Sequence, residues 1–344
     1  MPSPKSKVIV ACAGSRKTSH IVDEALKIAD ERVLITTYTN ENVDQIRSYI
    51  TQAKGCIPPN ITVMSWYSFL LQEGVRPYQN HVTAAGRIDT INFTAKPSPF
   101  TPKANVHAYY LTGSNDIYRD RVAEFVFVCD KCSGGRVVHR LSKVYQHIFI
   151  DEVQDLAGYD LELLKVLFAS KISVIAVGDP RQGTFATNNA AKNKQFKKSQ
   201  ILEWILAQVA AGIFKMEEWT DCYRSNQAIC DFADALFPKL PKAVSKVTTV
   251  TEHDGIFILK EIEVLAYVAQ HNPVVLRYNK KTNTMGLSAY NMGAVKGRTY
   301  ARVLIFPTKP MKAYLKDKDL SREMDLPKFY VAVTRARHSV AFVL

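Results

Sequence analysis

The stretch that decides the reading is VIVACAGSRKTSHIV, residues 8–22. It opens with an apolar run of strand-forming residues. Ala13-Gly14-Ser15-Arg16 then leads into Lys17-Thr18, followed by a helical pattern. Strand, glycine-bearing turn, Lys-Thr and helix form the layout of a phosphate-cradling loop. In such a loop the turn N–H groups and the helix N-terminus make an anion site. Lys17 would reach the β- and γ-phosphates, and the Thr18 hydroxyl would take Mg²⁺. The strict pattern G-x-x-x-x-G-K-[ST] fails twice, because Ala11 and Arg16 stand where glycines belong. Glycine is favoured beside the lysine because the backbone approaches phosphate closely there. We expect Arg16 to keep an α or bridge backbone, with its side chain turned away and its charge helping to attract phosphate. The candidate nucleotide contacts are Ala13, Gly14, Ser15, Arg16, Lys17 and Thr18.

A second stretch supports this reading. HIFIDEVQD (147–155) is an apolar strand ending in two acids. Asp151 at such a strand end suits Mg²⁺, and Glu152 beside it suits a general base acting on the attacking water. Ligands of open parallel sheets bind at the carboxyl ends of the strands, so this strand end and the Lys17 loop can converge. IAVGDPRQGTF (175–185) is another apolar strand with a polar end, and Gln182 there can meet a γ-phosphate or orient a water. Further along lie CYRSNQAIC (222–230), with Arg224, and YVAVTRARHS (330–339), with Arg335 and Arg337. An arginine from a second domain suits the charge of a phosphoryl-transfer transition state.

Around these stretches, apolar runs alternate with helical patterns. Strands are expected at 7–12, 32–37, 61–64, 147–151 and 172–177, and helices at 18–29, 41–53 and 160–169. The pattern resumes with strands near 213–219, 255–262, 273–278, 302–307 and 339–344, and a helix at 225–236. This alternation predicts an α/β fold of parallel, doubly wound sheets. The Pro-rich KPSPFTPKAN (96–105) cannot be a central strand, and residues 75–145 read as an inserted subdomain. A length of 344 residues suggests two domains. We place the first at 1–212 and the second at 213–344, the latter with a short insertion at 238–285.

The formal net charge of +13 points to a polyanionic partner, nucleic acid or an anionic surface. Six cysteines without a disulfide framework fit a reducing compartment. No apolar run reaches the roughly 20 residues needed to span a bilayer, so the expected location is cytoplasmic, away from membranes. CDKC (129–132), with His139 and His147 downstream, does not have the spacing of a standard zinc finger.

Taken in order, ACAGSRKT, TTYTNENVDQI, DEVQD, GDPRQ, CYRS, GAVKGRTYARVLIF and VAVTRAR resemble the motifs of superfamily 1 helicases of the UvrD/Rep/PcrA type. The resemblance covers about 7–75 and 146–344. It implies two RecA-like P-loop NTPase domains and ATP hydrolysis with Mg²⁺ in a cleft between them. It also implies movement along single-stranded DNA, 3′→5′, with RNA as a possible substitute. Lys17, Glu152, Gln182, Arg224 and Arg335 would be catalytic, Thr18 and Asp151 would hold Mg²⁺, and Tyr223 would stack on adenine. Tyr38, Thr39, Asn40, Trp66, Phe185 and Lys296 would contact the strand. Aromatic stacking suits a strand read without regard to sequence, since every base has a π-face. Two other readings are a nucleic-acid-binding protein with an inactive nucleotide site and a P-loop kinase acting on a small molecule. The paired arginine motifs disfavour the kinase.

Overall fold

The strand runs predicted from their apolar residues form two parallel sheets. The computed structural model describes residues 6–344. The chain divides into two compact units. The first comprises residues up to Val10 together with Lys17–Glu218, and the second comprises Ala11–Arg16 with Trp219–Leu344.

In chain order the first sheet's strands are β1 (Lys7–Ala11), β2 (Val33–Thr37), β3 (Ile61–Ser65), β6 (His147–Ile150), β7 (Ser173–Gly178) and β8 (Lys215–Trp219). Two-residue strands β4 (Ile91–Asn92) and β5 (Ile117–Tyr118) pair separately. The sheet order is β3-β2-β6-β7-β1-β8. The pairs β3–β2, β2–β6, β6–β7 and β7–β1 are all parallel. A parallel sheet is covered on both faces, which explains why these strands read as continuous apolar runs rather than alternating ones. On one face Val8, Val10, Leu34, Ile148, Ile150 and Val174 share a core with Leu161, Leu164 and Phe168. The last three lie on α7 (Tyr159–Phe168). The opposite face packs against α1 (Lys17–Leu26) and α2 (Asn40–Lys54).

Residues 75–145 carry α4 (Val106–Tyr110), α5 (Val122–Cys132) and α6 (Arg136–Val144). They follow α3 (Trp66–Phe69), and α8 (Ile201–Ala210) comes after β7. Tyr110, Phe125 and Leu141 of this segment join the core of the sheet rather than closing one of their own. Cys129 is buried on α5 and Cys132 is exposed at its end, while His147 is bonded to Glu31 at 2.5 Å.

The second unit begins with the short parallel pair β9 (Asp221–Cys222) and β10 (Val244–Ser245). Its main sheet comprises β11 (Gly255–Leu259), β12 (Val274–Arg277), β13 (Tyr290–Asn291), β14 (Tyr300–Phe306) and β15 (Ala336–Val343). The order is β11-β15-β14-β12-β13, with every pair parallel. One face buries Ile229, Ala233, Met311, Phe329 and Ala332 from α9 (Gln227–Ala235), α11 (Lys309–Asp317) and α12 (Leu326–Val333). The other buries Val264 and Tyr267 of α10 (Val264–His271). Among the described residues, no helix is long and apolar enough to cross a membrane.

Candidate functional site

The turn after β1 is built against CYRS. Gly14 sits at φ 78°. A Cβ there would come within 2.7 Å of Arg224 Cβ and 2.9 Å of Cys222 Sγ, so only glycine fits. The Tyr223 N–H donates to the Gly14 carbonyl (2.9 Å), and the Ala13 N–H meets the Tyr330 hydroxyl (3.3 Å). Ser15 is buried, and its hydroxyl has no hydrogen-bond partner among the described residues. A buried hydroxyl left without a partner is costly, and a phosphate oxygen would satisfy it.

Arg16 corrects our expectation. Its φ is 64°, in the left-handed region rather than the α or bridge region. The following residue enters α1, so the turn must reverse at Arg16 in the conformation a glycine would normally supply. The guanidinium does not simply turn away into solvent. It lies over the Tyr223 ring, 4.3 Å from the centroid. Lys17, buried, is the first residue of α1, whose first turn carries no acidic residue. The positive end of that helix favours an anion.

At the end of β6, Thr18 Oγ1 donates to Asp151 Oδ2 at 2.6 Å. Burial, with the Glu152 carboxylate beside it, pushes the Asp151 carboxyl up to about 7, against the Thr18 hydrogen bond and the Lys17 charge. A buried acid of this kind gains most from a cation. Thr18 and Asp151 are hard oxygen donors and fit Mg²⁺, which commonly takes one or two protein oxygens and completes its shell with phosphate and water.

Glu152 sits in the left-handed region (φ 57°). Its N–H donates to Asp151 Oδ1 (2.9 Å), and its carboxylate accepts from the Gln154 amide. The Gln154 carbonyl in turn accepts the Asp179 N–H (3.1 Å), and Gln182 donates to Asp179 Oδ2 (2.9 Å). A continuous network thus links Glu152 to Gln182. Gln154 is the residue that motif reading missed. Its signal was present in DEVQD and in Gly178 opposite, where a Cβ would lie 2.3 Å from Gln154 Oε1.

The second unit holds its candidate arginines differently. Arg224 donates to the Thr334 carbonyl (3.2 Å). Arg335 is 1% exposed and donates to the Val331 carbonyl (3.0 Å), the Arg298 carbonyl (3.2 Å) and Thr334 Oγ1 (3.3 Å). Tyr223 is 42% exposed, and Lys296 is half-buried between Val295 and β14.

Of the candidate strand contacts in the first unit, Tyr38 and Phe185 face each other, with centroids 5.8 Å apart. Asn40 is exposed at the start of α2. Thr39 caps that helix, its hydroxyl accepting the Asn42 N–H (3.2 Å). Trp66 is a correction. It is 1% exposed, and its indole N–H donates to the buried Asp160 at 2.7 Å. A ring enclosed in the core offers no face to a base. Tyr67 and Phe93, which the sequence did not single out, stand edge to face beside Tyr38 (Tyr67–Phe93 centroids 5.1 Å apart).

Two arterivirus nonstructural protein 10 helicase structures resemble this fold. One is 16% identical with a TM-score of 0.52, and covers 98% of this chain and 59% of its own. The other, solved in complex with DNA, is 16% identical with a TM-score of 0.51, and covers 98% and 60%. The chain thus spans about three-fifths of the length of those helicases. No curated protein sequence matches it. The profile of the viral superfamily 1 RNA helicase core domain matches residues 106–344, a span that takes in DEVQD, GDPRQ, CYRS and VAVTRAR. The chain therefore belongs to the family of the viral superfamily 1 RNA helicase core domain.

Proposed function

We propose that the chain is an ATP-driven motor that moves along a single nucleic-acid strand. The observation that carries this reading is the meeting of Thr18 with Asp151 at 2.6 Å, next to a Glu152 already tied into the network that ends at Gln182. In this reading the phosphates sit on the α1 N-terminus, held by the N–H groups of Gly14 and Arg16, the Ser15 hydroxyl and Lys17. Mg²⁺ on Thr18 and Asp151 would neutralise charge on the β- and γ-phosphates when bound. Glu152 takes a proton from the attacking water, and Gln182 senses the γ-phosphate. Arg224 and Arg335 are assigned to the transition-state charge. For Arg335 this requires exchange of backbone partners for phosphate oxygens. Tyr223, with Arg16 stacked on it, is assigned to the nucleobase. Tyr38, Thr39, Asn40, Phe185 and Lys296 are assigned to the strand.

The family description names RNA helicases, whereas the UvrD-type motif resemblance implies DNA and 3′→5′ movement. One experiment covers both. Phosphate release is measured with single-stranded RNA, single-stranded DNA and no strand, and displacement of streptavidin from either end of the better strand gives polarity. The expected result is stimulation of several-fold or more by a single strand, with displacement from the 5′ end. Absence of phosphate release under all conditions would sink the motor. Displacement only from the 3′ end would overturn the polarity.

A further inference from the structure

The second unit gathers three buried cysteines that the proposed hydrolysis does not use. Cys12, Cys222 and Cys230 form a small cluster of their own with Ala243. Cys12 follows β1, Cys222 ends β9 and Cys230 lies within α9. The Cys12 thiol is turned to backbone, donating to the Thr220 carbonyl (3.3 Å) and the Asp221 carbonyl (3.5 Å). Cys222 and Cys230 turn towards each other instead. Their Sγ atoms lie 3.9 and 3.8 Å from the same Ser225 carbonyl oxygen. The Ser225 N–H donates to Cys222 Sγ (3.5 Å). The hydrogen bond from Cys230 holds the Cys222 thiol well below the usual thiol range, against its burial, and the Ser225 N–H and the Arg224 charge add to it. The same bond, with burial, pushes the Cys230 thiol up. A thiolate paired with a protonated thiol suits attack by the first sulfur and resolution by the second.

The pair sits against the phosphate-loop turn. A Cβ on Gly14 would come within 2.9 Å of Cys222 Sγ, so there is no room for an added atom between them. The Tyr223 N–H holds the Gly14 carbonyl, Arg224 holds the Thr334 carbonyl, and Ser225 Oγ donates to the Ala336 carbonyl (2.6 Å). A shift of Cys222 is therefore carried to Gly14 on one side and to the arginine segment on the other.

We propose that Cys222 and Cys230 form a peroxide-sensitive dithiol whose oxidation to a disulfide switches off nucleotide binding at the Gly14 turn. The Cys222 thiolate attacks one peroxide oxygen, the O–O bond breaks, and the leaving hydroxide takes a proton and departs as water. Cys222 is then a sulfenic acid. Cys230 sulfur attacks Cys222 sulfur, the S–O bond breaks, and the Cys230 proton leaves with the hydroxyl as a second water. The two thiols give up two electrons, and the peroxide takes them. Bridging draws the sulfurs to about 2 Å and pulls Cys222 from its seat beside Gly14. Peroxide is close to water in size, and Cys222 is one residue from exposed Tyr223. The effect on nucleotide rests on the ATP reading above; the dithiol itself does not.

The test uses the full chain. The exposed Cys56 and Cys132 are first blocked with N-ethylmaleimide in the folded protein. Hydrogen peroxide is then added, disulfides are mapped by peptide mass spectrometry, and strand-stimulated phosphate release is measured before and after dithiothreitol. Wild type should yield a Cys222–Cys230 bridged peptide and lose about ten-fold or more in ATPase, as expected for a displaced binding turn, with recovery in dithiothreitol. Cys230→Ser, which lacks the resolving thiol, should melt within a few degrees of wild type and keep its ATPase in dithiothreitol. In peroxide it should lose activity irreversibly, since Cys222 then proceeds to the sulfinic acid. No bridge in wild type, or a bridge from Cys222 to Cys12 instead, would overturn the dithiol. A bridged protein with undiminished ATPase would overturn the switch. If the reduced protein releases no phosphate with any strand, the motor reading fails, and the peptide map still decides the dithiol.

Discussion

The turns that follow β1 and β6 both place a non-glycine residue in the left-handed region, Arg16 at φ 64° and Glu152 at φ 57°. They hold it in different ways. Glu152 is fixed from several directions: its own N–H is capped by Asp151, its carboxylate is held by Gln154, and Gln154 is anchored on Asp179 beside Gln182. Arg16 stacks on Tyr223, a ring that is itself 42% exposed. Strain in a backbone persists only where surrounding contacts over-determine it, and such residues cluster at functional sites. The Glu152 side chain is thus held by a hydrogen-bonded network, whereas the Arg16 side chain rests on one exposed ring.

The comparison breaks first at Gln154. Gln154→Leu removes the amide that holds Glu152, and with it a hydrogen bond to a charged group, typically about 1.5–3 kcal/mol. The expected loss is roughly 10- to 100-fold in the rate of hydrolysis with ATP affinity retained, measured by single-turnover phosphate release. A Gln154→Leu protein that hydrolyses at the wild-type rate would show that the network does not position Glu152.

The smaller effect lies at Arg16. Replacing it with glycine relieves left-handed strain of about 1 kcal/mol. It also forfeits a cation–π contact of about 0.5–1 kcal/mol and adds backbone entropy to the unfolded chain, worth roughly 0.5–1 kcal/mol. These terms nearly cancel. Arg16→Gly should keep its melting temperature within a few degrees and its ATPase rate within about three-fold. A gain well above that would mean Arg16 obstructs the loop, and the two turns would then differ in kind rather than in how firmly they are held.

Much of this arrangement could be read from residue order. The apolar runs ending in Thr37, Ser65, Ile150 and Gly178 became parallel strands because a doubly covered sheet asks for apolar side chains on both faces. The pairing of Thr18 with Asp151 followed from the two motifs each lying at a strand end. Three features were not legible, for physical reasons. The backbone of Arg16 is set by the geometry of the turn, and a side chain's identity does not report φ. Trp66 went to the core because its indole found a buried acceptor, Asp160, 94 positions away; nothing local distinguishes such a tryptophan from a stacking one. Phe93 lies in a segment without helical or strand periodicity, and only the fold brings it beside Tyr67.

The proposal that Glu152 activates the attacking water is tested most directly by the rate of ATP hydrolysis by Glu152→Gln. The variant keeps the shape of Glu152 and an oxygen that can accept from the Gln154 amide, but cannot accept a proton from water. ATP affinity should stay close to wild type, while strand-stimulated hydrolysis falls by at least about 100-fold, the usual contribution of a general base. Hydrolysis at the wild-type rate would contradict the account, because a base elsewhere would then be activating the water.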